Sequence, residues 1–324
     1  MRKNALPGYV LAACLPLCGQ VKITQESDKV AVQIDGKPFT DFVILGEDYA
    51  KPYLWPLRAA SGTVVTRYWP MDKTHSGESK DHPHHRGLWF GQDEVNGFNF
   101  WANEPSVNQK NPGKQIVKNL KVKSGSETGT IQCDIEWTAG GNVLLVEHRI
   151  MTFYSGDAAG PQNRQIDFDL NLEPKTKVTF GDTKEGTFSM RLAPWLEYPQ
   201  KRGPQEPKRT GTMVNAEGKK GEEEVWGKRS NWIDYFGETN GEKIGIAMFD
   251  NPKNPGHPNR WHTRGYGLFG INPFGLHDFD KTATGPGGMT IEPGHNLHYR
   301  FRVLIHPGDV ETAKIADQYQ KYAK

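Results

Sequence analysis

The strongest constraint on the fold is a period of two. Ile131, Cys133, Ile135 and Trp137 alternate with Gln132, Asp134 and Glu136, and Ile166, Phe168, Leu170 and Leu172 alternate with Asp167, Asp169 and Asn171. Successive side chains of an extended chain point to opposite faces, so each run describes a strand with one buried and one wet face. The same pattern predicts strands over 30–34, 42–45, 64–69, 143–154, 188–192, 244–249 and 297–305. The 36 Gly and 22 Pro residues punctuate these runs at intervals suited to hairpins.

A helical period is confined to the C-terminus, where Ile315, Tyr319 and Tyr322 recur at i, i+4 and i+7 behind a capping Asp309. This predicts a short helix closing over a sheet. Residues 199–228 are rich in Lys, Arg, Glu, Gly and Pro, and are expected to form a surface excursion. With no low-complexity linker, the chain is expected to be all-β: one large, mostly antiparallel two-sheet β-sandwich over 21–324. A chain of this size hides about 75% of its unfolded surface, so it can stand on its core.

Residues 1–20 carry Arg2 and Lys3, no acid, and an apolar stretch from Ala5 to Leu17. That is the layout of a signal peptide, too short to span a bilayer. Leu11-Ala12-Ala13-Cys14 resembles a lipobox, which would anchor the mature chain by lipid at Cys14; a plain cut near Gly19 or Gln20 is the alternative. The expected location is therefore outside the cytoplasm: periplasmic, secreted or lipid-anchored. Removing the segment takes two of the 40 basic residues and leaves 38 against 38 acidic, so no nucleic-acid partner is expected. Of three cysteines only Cys133 lies in the body, which excludes a disulfide framework. No apolar run reaches the 18 or more residues of a spanning helix.

Chemistry concentrates at Asp81-His82-Pro83-His84-His85-Arg86-Gly87-Leu88-Trp89-Phe90-Gly91. Three imidazoles and a guanidinium in five residues are poorly explained by packing. In an extended chain His82 and His84 would point one way and His85 the other. A second concentration, His257-Pro258-Asn259-Arg260-Trp261-His262-Thr263-Arg264-Gly265-Tyr266-Gly267-Leu268-Phe269-Gly270, echoes the first, and the two are expected to share one cleft. Asn272 and His277 follow in a polar loop. Aromatic rings beside Arg, Asn, Asp and His suit a sugar, whose C–H face the rings cover while planar polar groups fix hydroxyls.

These residues resemble a bacterial family catalogued as methane oxygenase PmoA. The resemblance runs through Lys51-Pro52-Tyr53-Leu54-Trp55-Pro56-Leu57-Arg58, Asp81 to Gly91, Val95-Asn96-Gly97 with Phe100-Trp101, and Arg260 to Gly275. The chain is also similar to galactose mutarotase-like supersandwiches, which implies a two-sheet fold that handles sugars. His85-Arg86-Gly87 matches their early His-Gly segment, and Pro293-Gly294 before Tyr299-Arg300-Phe301 their terminal strand. Where they carry a catalytic Glu, this chain offers only Asn272, His277, Asp278 or Asp280.

Three functions stand open. One is a carbohydrate-active enzyme working by acid–base catalysis, with His85 or His262 carrying protons, Arg86 and Arg264 stabilising charge, and His277 nearby; Trp89, Trp101, Arg260, Trp261 and Asn272 would bind substrate. Another is a divalent metal site built on His82 and His84, with His262 or Asp81, for lyase, hydrolase or oxidative chemistry. A non-catalytic glycan-binding protein is the third.

Overall fold

The computed structural model describes residues 19–199 and 207–324. The signal-like segment up to Cys18, with the lipobox and Cys14, lies outside the described residues.

The alternating runs form two eight-stranded sheets in which every pairing is antiparallel. The first sheet has the spatial order β1 (Val21–Gln25), β2 (Lys29–Ile34), β3 (Lys37–Val43), β4 (Tyr53–Trp55), β5 (Leu88–Gln92), β11 (Gly186–Arg191), β16 (Leu268–Asn272) and β15 (Arg260–Trp261). The second runs β12 (Thr212–Asn215), β13 (Trp232–Thr239), β14 (Glu242–Asp250), β18 (Leu297–Pro307), β9 (Arg164–Pro174), β8 (Asn142–Tyr154), β7 (Thr128–Ala139) and β6 (Lys114–Lys123). A two-stranded ribbon, β10 (Val178–Phe180) with β17 (Met289–Ile291), completes the set.

The sheets meet through interleaved rings: Phe188 of β11 stacks on Phe301 of β18 with centroids 4.6 Å apart and meets Phe168 of β9 edge-on at 4.8 Å, while Phe90 of β5 meets Trp137 of β7 at 5.8 Å. The other face of each sheet is where they differ. In the second sheet β7, β8, β9 and the first half of β18 keep the expected alternation, with ion pairs such as Arg302–Asp167 and Arg300–Asp169 facing outward, while β13 and β14 are buried beneath the C-terminal helix. In the first sheet β5, β11 and β16 are buried at every position. Something must therefore cover their outer face, and that cover is built from the motif loops.

Three expectations are corrected. Residues 64–69 make only isolated bridges, Val64 to Arg58 and Thr66 to Leu192, because Arg67 turns inward to hold a loop instead of extending a ladder. The C-terminal helix spans Ile315–Tyr322, not a segment capped by Asp309: that carboxylate accepts the Thr312 N–H at 3.0 Å in a separate turn, ended by Lys314 at φ 52°. Ile315 and Tyr319 do pack the helix onto Trp232, Ala247, Phe249 and Leu304 of the second sheet. Within 207–228, the excursion contributes edge strand β12 and the short helix Glu222–Val225.

Candidate functional site

The loop before β5 is a tight turn. The His85 N–H donates to the His82 carbonyl at 3.0 Å, with His82 in the left-handed region at φ 45°. Gly87 follows at φ 55°, and a Cβ there would lie 2.1 Å from the Leu54 carbonyl oxygen, so only glycine fits. This turn overturns the alternation expected for an extended segment: His82 and His85 stack face to face, centroids 4.7 Å apart and 9° from parallel. The stack continues to Tyr266 on one side of His82 (5.4 Å, 3°) and to Trp89 under His85 (5.3 Å, 23°). His84 and Trp101 meet His85 edge-on at 4.5 and 5.7 Å.

Two buried guanidiniums hold this array. Arg67 donates to the carbonyls of Asp81 and His82, each at 3.0 Å, and to the Asp81 carboxylate at 2.7 Å. Arg191, the last residue of β11, donates to the same carboxylate at 2.9 Å and to His85 Nδ1 at 3.2 Å, with its guanidinium 4.8 Å from the Tyr266 ring centre. Burial and the neighbouring Arg191 lower the Arg67 pKa to about 9, and its partners hold the Asp81 carboxyl below the usual range despite partial burial.

Arg191 also decides the state of His85. Burial, then His84 and Arg191, hold its pKa well below 6.5, so the ring is neutral. Because a guanidinium can only donate, Nδ1 must accept and the proton sits on Nε2. That Nε2–H is buried and has no protein partner. His84 is likewise held neutral, at about 2, by burial and nearby cations.

The sheet register extends the site. Tyr53, Trp89, Ser189 and Gly270 pair in one row across β4, β5, β11 and β16, and the His262 N–H donates to the Gly270 carbonyl at 2.9 Å. Paired residues share a face, which places His262 in line with Trp89, roughly 14 Å away at three strand spacings. Ser189 and Gly270 form a small-residue floor between them. Ser189 Oγ, His262 Nδ1, Trp89 Nε1 and Trp101 Nε1 are buried without hydrogen-bond partners. Burial lowers the His262 pKa to about 4 against the pull of Glu185.

The two motif stretches thus meet where His82 stacks on Tyr266 and where Leu268 packs with Trp89 and Trp101, while His262 lies further along the same face. Arg86 points to the opposite side of its loop, paired with Asp48 and Glu104. There it lines an open cleft of about 1120 Å³ with Tyr53, Trp55, Trp69, Met71 and Lys80. Arg264 pairs with Glu222 at 2.6 Å over Trp226. Trp261 faces the core against Phe269 and donates to the Ser230 carbonyl, so it is removed from the outer face. Asn272 is buried and holds the carbonyls of Thr183 and Lys184. His277 lies at the sheet end, bonded to Asp182, and Arg260 lies beside Arg229.

A divalent cation does not suit the His82–His84 pair. The His82 and His84 rings stand 5.6 Å apart at 71°, His82 Nδ1 is engaged by Asp81 at 3.0 Å, and the cations Arg67, Arg191 and Lys51 bear on the His84 ring. Among the described residues no three His, Cys, Asp or Glu side chains converge on one point.

Sequence reasoning missed Arg67, Arg191, Ser189 and Tyr266. Arg191 had a signal, a charge inside the alternating run 188–192, but its meaning depends on which strands flank β11.

The chain belongs to the family of unknown function DUF6807, whose model matches residues 29–320. A search of curated proteins finds no match.

Proposed function

We propose that this chain is an exported carbohydrate-active enzyme whose substrate lies on the outer face of the first sheet, between the His85 stack and His262. The observation that carries this is His85 itself: a neutral ring, oriented by Arg191, with an unpartnered Nε2–H set among aromatic walls. Such a donor is suited to an oxygen on which negative charge develops, because a buried, fixed N–H needs no reorganisation as that charge appears. His262 Nδ1, also unpartnered and roughly 14 Å along the same face from Trp89, offers a second polar contact for a saccharide that extends beyond the ring at His85. Arg191 acts as a positioning residue that fixes the tautomer. The adjoining cleft with Trp55 and Trp69 offers ring faces for further sugar units.

The similarity to mutarotase-like supersandwiches supports this reading, since two packed antiparallel sheets are the architecture it implies. The resemblance to the PmoA-catalogued family belongs to the same proposal as kinship, without the oxidative chemistry of its name. Export, by a lipid-anchoring cut at Cys14 or a plain cut near Gly19 or Gln20, completes it: a saccharide enzyme outside the cytoplasm meets its substrate there.

The test is a turnover screen of glycans and keto-sugars with purified mature protein, with and without chelator, beside His85→Ala. The expected result is chelator-independent turnover that falls about a hundredfold in the variant. A folded His85→Ala protein with full activity would overturn it, as would turnover that chelation abolishes.

A further inference from the structure

Beyond His262 along the same edge strand lies a second pocket, of about 670 Å³, whose rim carries Arg229 and Arg260. The two residues face each other across an isolated antiparallel bridge. Like charges directly opposite on neighbouring strands repel. Here no carboxylate forms an ion pair with either guanidinium among the described residues. Arg229 spends one nitrogen on the carbonyls of Gly256 and Pro258, and Arg260 spends one on the Gly227 carbonyl, all at 2.8 Å. Arg260 Nε is buried without a partner. Two acids lie near: Asp182 lines the pocket and is bonded to His277, and Asp280, whose charge bears on Arg260 without an ion-pair contact, accepts the Thr282 N–H at 3.0 Å and hydroxyl at 2.8 Å.

The rest of the pocket is apolar at its floor, where Phe180 and Phe274 stack 5.0 Å apart, and small at its rim, where Thr179 and exposed Thr290 sit. Two guanidiniums with no carboxylate in ion-pair contact among the described residues, lining one pocket with Phe180 and Phe274, suit an oxyanion on an organic body, because their forked donors match carboxylate and sulfate geometry. Arg260 and His262 are two residues apart and so share a face, about 7 Å from each other.

We propose that Arg229 and Arg260 bind the carboxylate or sulfate of an acidic saccharide. The anion site stands on its own geometry; that its ligand is the substrate of the His85–His262 face rests on the function proposed above.

Inorganic sulfate, glucuronate and glucose, titrated calorimetrically at constant ionic strength in chloride, test it. Thr290→Glu places a carboxylate in the pocket that the guanidiniums line, at a residue that makes none of their loop-holding bonds, and Arg260→Gln removes one guanidinium. Saturable binding of sulfate and glucuronate, weakened at least tenfold in both variants at unchanged melting temperature in Thr290→Glu, is expected. The proposal is overturned if wild type shows no saturable binding of either anion, or if Thr290→Glu binds both as tightly as wild type. Should both anions bind as expected while His85→Ala leaves all saccharide turnover intact, the anion site stands and only the catalytic proposal falls. Glucose binding as tightly as glucuronate would overturn the charge requirement.

Discussion

Acid should destabilise this protein from about pH 6.5 downward, because three histidines resist protonation in the folded state. Burial and neighbouring cations hold His84 to about 2, burial with His84 and Arg191 holds His85 well below 6.5, and burial holds His262 to about 4. In the unfolded chain each returns to about 6.5. Between pH 6.5 and 4 the unfolded chain therefore binds protons that the folded chain does not, and stability falls as pH falls. From pH 6 to 5 an unfolded histidine is on average about nine-tenths protonated, which costs about 1.2 kcal/mol for each of the three and about 3.6 kcal/mol together. Glu104 and Glu197, whose pKa burial raises, take up protons early in the folded state and offset part of this. Urea unfolding followed by tryptophan fluorescence at half-unit pH steps reads the slope directly. His85→Asn should remove about a third of it, whatever the variant does to absolute stability. An unchanged slope in His85→Asn would refute the neutral, buried His85 on which the proposed chemistry depends.

Asp81→Ala strips the carboxylate from two buried guanidiniums. Breaking such a pair costs about 3–5 kcal/mol, and the 34% exposure of the Asp81 side chain puts the expected loss near the lower end, about 3 kcal/mol, in urea unfolding. An unshifted unfolding midpoint would contradict the role given to Asp81. The buried His306–Asp234 pair, 3.0 Å apart, has the opposite pH sign from His85: burial lowers the His306 pKa, but Asp234 and the Pro307 carbonyl carry it above 6.5 overall. Its stabilisation is full below about pH 6.5 and is lost as pH rises through the folded pKa. The stability gap between wild type and His306→Asn should accordingly narrow from pH 6 to 9, and a constant gap would refute the assignment.

The strands with one wet face were legible, since Ile131–Trp137 and Ile166–Leu172 need no knowledge of partners to be read. Residues 188–192 illustrate the limit. Alternation separates Phe188, Met190 and Leu192 from Ser189 and Arg191, and by itself sends the latter pair to solvent. Only the order β5–β11–β16, a pairing of segments about 100 and 80 residues apart in the chain, turns Ser189 into a floor and Arg191 into the partner of His85. The histidine cluster was visible as composition, yet its geometry was not, because one positive φ at His82 converts an extended run into a stacked turn. Trp261 shows the reverse error: an aromatic beside Arg260 and His262 looks like a binding ring, but the strand parity that puts those two outside sends Trp261 to the core.

The central claim is that a saccharide sits against the His85 stack on the outer face of the first sheet. A crystal structure of the His85→Asn protein soaked with a saccharide that wild type turns over tests it most directly. The account predicts a sugar ring over the Ser189–Gly270 floor, in contact with Trp89 or Trp101 and with an oxygen within hydrogen-bond reach of residue 85. A saccharide bound only on the second sheet, or only in a region remote from residues 82–85 and 262, would contradict it.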